Sequence, residues 1–210
     1  GGSQIMNEIE KKSSGVIRQL TGLGGFCVAC YFLIMIIEYI LFLKNTTLDA
    51  FKIISLVSWS LGSVVGIIAM ILGLSKKVSY RTITKIGFGF GLFEGTVYII
   101  LIYAANVVMT SLPFIMLATL MCLITFILLF INGKTKDEFS DLCVSITIPV
   151  AILFIIIDIG SQAAQPGFMS ASHPLGIVEV IVIFIGLIIL LLTSIWGAVK
   201  NYKQTKEASK

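Results

Sequence analysis

Glu94 is the residue whose type and position most need a chemical explanation. It lies about eight residues into the apolar run Ile86–Val108. An ionisable side chain is costly in such a setting and marks function more often than elsewhere. Tyr98 follows at the i+4 spacing that lets two helical side chains touch. No Lys or Arg stands inside any of the apolar runs to pair with the acid. A carboxyl so placed can carry a proton, bind a cation, or donate a hydrogen bond to a neighbouring carbonyl, and the sequence leaves these open. Glu38, Asp158 and Glu179 form a second group, drawn from three other runs and lying toward their outer ends. Converging on one external mouth, they would attract a cation or a cationic solute. The plainer alternative puts Asp158 and Glu179 in water at helix ends, with Glu179 in a first turn where negative charge is favourable.

Other reactive residue types point less far. Cys27-Val-Ala-Cys30 has thiol-oxidoreductase spacing, but both flanks are apolar and no cation is near to stabilise a thiolate. These residues read as small buried hydrophobes, and Cys122 and Cys143 do not make a second pair. His173, the single histidine, cannot form a metal site alone or a bis-histidine haem site. Asn45-Thr46-Thr47 is a glycosylation sequon. There is no P-loop, zinc-protease H-E-x-x-H, G-x-S-x-G, potassium-filter TVGYG or voltage-sensor arginine ladder. The expectation is therefore no catalytic residue, no metal and no cofactor.

The elements that must position these side chains are long and greasy. Of the 210 residues, 57% are hydrophobic and 12% charged, and the mean hydropathy is +1.03. A soluble domain carries about a quarter charged residues. A chain this short has too few charges to shield such helices from water, so it asks for a bilayer. Spanning hydrocarbon takes about 20 apolar residues in a helix. Six runs qualify: Leu20–Leu43, Ile53–Leu74, Ile86–Val108, Ser111–Ile131, Leu142–Gly160 and Leu175–Ala198. Each satisfies its own backbone hydrogen bonds, as hydrocarbon requires, and none alternates as a barrel strand would. The expected fold is an all-α, six-helix transmembrane bundle. Residues 1–19 lead it, 20–199 span the membrane and 200–210 form a tail. Gly1-Gly2-Ser3 reads as an expression-tag remnant and Met6 as a native start; no cleavable signal peptide is expected.

Charge sets the orientation. The leading segment, the second and fourth connections and the tail hold 13 of the 15 Lys and Arg residues; only Lys44 and Lys52 lie opposite. Positive residues collect on the cytoplasmic side. Both termini are thus expected in the cytoplasm, and the net charge of +4 calls for no nucleic-acid partner. The third and fourth runs meet near Met109–Thr110, as a tight hairpin.

Glycines supply the contact surfaces. Gly87, Gly91 and Gly95 recur at four-residue spacing on the third run, and Gly62 and Gly66, with Ser58 a turn earlier, do the same on the second. Gly22, Gly25 and Ala29 make a looser series on the first. Such stripes let helix backbones approach closely, either within one chain or across a homo-oligomer. Trp196 suits an interfacial anchor, whereas Trp59 lies deeper and should pack.

The segment Gly89-Phe90-Gly91-Leu92-Phe93-Glu94-Gly95-Thr96-Val97-Tyr98-Ile99 resembles the third-span signature G-F-R-x-x-E-G-x-x-Y-I of an uncharacterised family of bacterial six-span proteins. Arg18 to Gly22 is similar to that family's Arg-x-x-Gly approach to the first span. Gly91 replaces the family arginine, so a Glu–Arg pair does not carry over. The resemblance covers about a third of the chain, implies a bacterial six-span membrane protein, and brings no activity with it. Phe139-Ser140-Asp141 is similar to the R-x-x-x-F-S-D motif of lysosomal-type potassium channels, but it stands at the fifth run with Thr135 at the arginine position, and nothing is carried from it.

Three functional classes fit these residues. The leading one is binding or transport of a small solute or ion across the plasma membrane, with Glu94, Tyr98, Glu38, Asp158 and Glu179 as candidate binding residues. The second is a non-transporting regulator, immunity or assembly factor that meets a partner membrane protein through its glycine stripes. The third is an oligomeric cation channel.

Overall fold

The computed structural model describes residues 2–44, 46–166, 168 and 174–209. Among these residues the chain forms six helices and no strand: α1 (Gly2–Leu43), α2 (Ala50–Leu74), α3 (Tyr80–Ala104), α4 (Leu112–Thr135), α5 (Glu138–Ala163) and α6 (Gly176–Ala208). All six are long and apolar enough to cross a bilayer. Large apolar side chains stay exposed around the whole circumference, from Ile37 on α1 to Leu192 on α6. Lipid is the solvent that tolerates such a surface. The protein is a multi-pass integral membrane protein.

Local signals fix several helix ends. The Asp49 carboxylate accepts a hydrogen bond from the Lys52 backbone N–H at 2.9 Å and starts α2. Ser79 caps α3 through the Thr82 N–H at 3.4 Å. Pro113 stands in the first turn of α4, where its missing N–H costs nothing. At the ends of α1 and α6 the sequence boundaries fall short. α1 runs to 42 residues and α6 to 33. At 1.5 Å per residue α1 is ~63 Å long, about twice the hydrocarbon thickness. The leading segment and most of the tail are thus helical extensions. They support each other: the Lys200 ammonium donates to the Glu10 carbonyl at 3.0 Å and to the Ser14 hydroxyl, and the Gln204 amide donates to the Glu10 carboxylate. Both termini therefore lie at one end of the bundle, here the terminal end; the opposite one is the far end.

The helices form a closed ring in chain order, each against the next, with α6 closing on α1. α1 is gripped from two sides. Toward α2, a Cβ added at Gly22 would come within 3.1 Å of the Ala69 carbonyl and the Gly73 Cα, and one added at Gly66 within 2.5 Å of the Gly25 carbonyl. Toward α6, a Cβ at Gly186 would lie 2.7 Å from the Cys27 Cβ. Cys27 thus packs as a small side chain at a helix crossing, and all four cysteines are free. On the other side of the ring, Phe88, Cys122, Leu129, Val144, Ile148, Ala151 and Ile152 form a buried cluster between α3, α4 and α5.

The glycine stripe of α3 divides. Gly91 and Gly95 face α4, through Cys122 and Thr119. A Cβ at Gly87 would meet no atom within 4 Å; Gly87 lines open space and is not a packing glycine. Gly62 does not meet a helix backbone either. It receives the rings of Phe32 and Phe90, which pack edge-to-face at 5.6 Å. Trp59 packs edge-to-face on Tyr39 at 5.0 Å, whereas Trp196 is exposed on α6.

Candidate functional site

The ring encloses a cavity of 630 Å³ to which all six helices contribute. Its walls reach from Tyr80 and Ser194 near the terminal end to Gln165 and Pro166 near the far end. That volume is in the range of about 300–1,000 Å³ common for small-molecule sites. Helical periodicity explains the lining. On α1 the inward residues are Thr21, Gly25, Val28, Phe32 and Met35, and on α5 they are Ile148, Ile152, Ile155, Ile159 and Gln162, each three or four apart.

Glu94 lines this cavity at mid-bundle and is half-buried. Its carboxyl makes no hydrogen bond to any described residue. Asp158, from α5, lines the same cavity and lies close enough to Glu94 to interact electrostatically. The Asp158 carboxylate accepts a hydrogen bond from the Gln162 amide, one turn on, at 2.7 Å. Gln165, in the turn after α5, donates to the Thr110 hydroxyl at 2.7 Å and ties that turn to the α3–α4 connection. No Lys, Arg or His lines the cavity among the described residues, while Tyr31, Phe32, Trp59, Phe90 and Tyr98 all do. The space is therefore acidic and rich in aromatic rings, with an otherwise largely apolar wall broken by Thr119, Gln162 and a few other neutral polar side chains.

The four acids do not group as three at one mouth with Glu94 apart; they fall into two pairs. Glu94 and Asp158 share the cavity. Glu38 and Glu179 are hydrogen-bonded to each other between α1 and α6, and neither lines the cavity. Glu179 sits in the first turn of α6, as read from the sequence, but it is only 5% exposed and so not in water. An ionised carboxylate only accepts, so a bond between two carboxyls requires a proton between them. The reason for the split is rotational: the inward stripe of α1 passes through Met35 toward Tyr39, which turns Glu38 toward α6. The Tyr31 phenol lies within electrostatic reach of Glu94, Asp158 and Glu179, and so between the pairs. Tyr98 shares Glu94's surroundings, but its hydroxyl donates to the Met109 sulfur at 3.8 Å and not to the acid.

A second cavity, of 280 Å³, adjoins the first and shares Glu94, Trp59, Tyr98 and Met109 with it. It lies toward the far end between α2 and α3, walled by Phe51, Ser55 and Ser58 on one side and Val97, Leu101 and Ala105 on the other.

Arg81 is a residue whose role the sequence concealed. Counted there as a loop charge, it is the hub of a polar network at the terminal end. Its guanidinium donates to the Asn132 side-chain amide oxygen at 2.8 Å and to the Ser145 hydroxyl at 2.9 Å, and pairs with Asp141 at 3.0 Å. Asn201 of α6 reaches Asp141 and Ser145 at 3.4 and 3.5 Å. Gln162 was also missed, although its i+4 spacing from Asp158 places both on one face of α5; Gln165, in the turn just after that helix, was missed as well.

Among the described residues no three His, Cys, Asp or Glu side chains converge as a metal site. His173 and Asn45, the centre of the sequon, lie outside the described residues. Comparison with protein-family models, with curated proteins and with solved structures finds no match to the chain.

Proposed function

We propose that this protein binds a small cation in its central cavity and carries it across the membrane, with Glu94 as the principal counter-charge and Asp158 as the second. The observation that carries the reading is a half-buried carboxyl with no hydrogen bond to any described residue, facing a 630 Å³ space that lacks basic residues among the described lining. An isolated carboxylate is very costly in a low-dielectric interior. A proton or a cation relieves that cost, so the two compete for one place, and this competition is the chemical basis of exchange. Asp158 raises the negative potential of the same space, and Gln162 fixes its orientation. The Arg81 network closes the terminal end of the walls without placing a positive charge in the cavity.

The channel reading needs polar residues on the axis of a symmetric oligomer. Here the acids face the interior of a single chain, which favours a carrier. The lysine-rich terminal end is assigned to the cytoplasm, and the resemblance of the third span favours a bacterial plasma membrane.

The test is reconstitution into liposomes containing a trapped pH dye. Inward gradients of potassium, tetramethylammonium and tetraphenylphosphonium should elicit proton release for at least one of them. Glu94→Gln should abolish the release and Asp158→Asn should weaken it, both with unchanged melting temperature. A correctly folded Glu94→Gln protein that exchanges as the wild type does would overturn the proposal.

A further inference from the structure

We infer that the cation is a lipophilic aromatic one, and that it reaches Glu94 sideways from the bilayer through the cavity between α2 and α3. This rests on the cation-binding reading above and goes beyond it in ligand class and route.

The ligand class follows from the walls. A hard inorganic cation needs several oxygen ligands to replace its water. Besides Glu94 the cavity offers the oxygens of Asp158, Gln162 and Thr119, but no third acid joins the two carboxyls as a metal site among the described residues, and rings are many: Tyr31, Phe32, Trp59, Phe90 and Tyr98, with Met35 and Met109 beside them. Aromatic faces attract a cation whose charge is spread over an apolar body, and methionine adapts to irregular apolar shapes. The space has room for a molecule of drug size and would leave a bare metal ion under-coordinated.

The route follows from the second cavity. It shares Glu94 and Trp59 with the central one, so it leads to the same carboxyl. Its walls include Phe51 and Val107, which are 44% and 50% exposed on the outer surface. Ser55 and Ser58 lie five and eight residues past Ala50, the first residue of α2. At 1.5 Å per residue this is ~7–12 Å below the helix start, the depth at which amphipathic solutes sit in a bilayer. The small serines keep the cleft open, and the aromatic pair Phe32–Phe90, resting on Gly62, props α3 away from α2 beneath it.

Trp59 is the natural reporter. The protein has two tryptophans, and Trp196→Phe, on the exposed face of α6, leaves Trp59 alone. In liposomes, tetraphenylphosphonium should quench Trp59 saturably, and Glu94→Gln should weaken its binding at least tenfold. Potassium, tetramethylammonium and the neutral triphenylphosphine oxide should leave the emission unchanged. Ser55→Phe, which fills the side cavity, should slow association in stopped-flow at least fivefold. Should Ser55→Phe fail to fold, Ala105→Phe blocks the same cleft from the opposite wall. An unchanged association rate in a folded blocked variant overturns the lateral route. Glu94-dependent binding of potassium or tetramethylammonium without tetraphenylphosphonium overturns the ligand class and leaves the cation reading standing. If no cation acts through Glu94, both fall.

Discussion

Replacing Gly66 and Gly87 separately by alanine should move stability in opposite directions, although both are helical glycines on neighbouring helices. A methyl at Gly66 would stand 2.5 Å from the Gly25 carbonyl oxygen, 2.6 Å from the Ala29 Cβ and 2.8 Å from the Ala29 backbone nitrogen. These atoms belong to or sit directly on the α1 backbone and cannot rotate away. The closest approach is roughly 1 Å inside ordinary van der Waals contact, so α1 and α2 must part by about that much. Parting them also strains the bond from the Arg18 guanidinium to the Gly73 carbonyl, now 3.1 Å. Overpacking of this kind costs about 1–3 kcal/mol, against a helix-propensity gain of about 0.5–1 kcal/mol for any glycine-to-alanine change. At Gly87 nothing lies within 4 Å, so only the gain remains. The propensity gain is common to both, so the two variants should differ by the overpacking cost, about 1–3 kcal/mol, or roughly 2–12 °C in Tm for a chain of this size. Thermal unfolding in mild detergent, followed by Trp59 and Trp196 emission, measures the difference. A Gly66→Ala protein as stable as Gly87→Ala would refute the close α1–α2 seam and the ring geometry built on it.

Three other outcomes follow from the same structure. Arg81→Gln should destabilise by about 2–3 kcal/mol, because charge-assisted bonds to Asn132, Ser145 and Asp141 are lost together; a double-mutant cycle with Asp141→Asn should give a coupling of about 1 kcal/mol or more, and zero coupling would dismiss the pair. The Lys52 backbone N–H holds the Asp49 carboxyl below its usual range; the cap's contribution is therefore complete above the unfolded value of about 4 and is lost as pH falls through the lower folded one, so Asp49→Ala should lower Tm at pH 7 and leave it near wild type at pH 2. In a background without native cysteines, Lys77→Cys and Lys206→Cys should react with an impermeant maleimide from the cytoplasmic face and Lys44→Cys from the other, and labelling of the first two from opposite faces would contradict the ring.

The spans were legible because a bilayer demands one thing of each, an unbroken apolar run, and that demand is written along the chain. The helical extensions at 2–19 and 200–208 were not, because polar residues continue a helix only when something supports them, and here each extension supports the other through Glu10, Ser14, Lys200 and Gln204. Glu94 stood out because charge is rare at that depth. Its partner could not be chosen from sequence: in lipid both the inner and outer faces of a helix are apolar, so no hydrophobic stripe tells which way Asp158, Glu38 or Glu179 turns. Gly87 shows the same limit. It shares a stripe with Gly91 and Gly95, yet a Cβ there would meet nothing within 4 Å, although α4 still packs on α3 beside it through Phe126 against Gly89.

The uneven grip of the ring explains why an acid can stand at its centre. Small residues on α1 and α2 bring those backbones together along Gly22, Gly25, Gly66 and Gly73. α2 has then spent its narrow face on α1, and what it turns toward α3 is Gly62, filled by the Phe32 and Phe90 rings, and Trp59, backed by Tyr39. Rings occupy more width than a glycine seam allows, so α3 stands off from α2 while its Gly91 and Gly95 hold it to α4. Glu94 lies one turn beyond Phe90, directly above that wedge. It therefore lies where the central and side cavities meet. The close packing on one side of the ring and the accessible carboxyl on the other are two results of where the chain places its glycines and its aromatic rings.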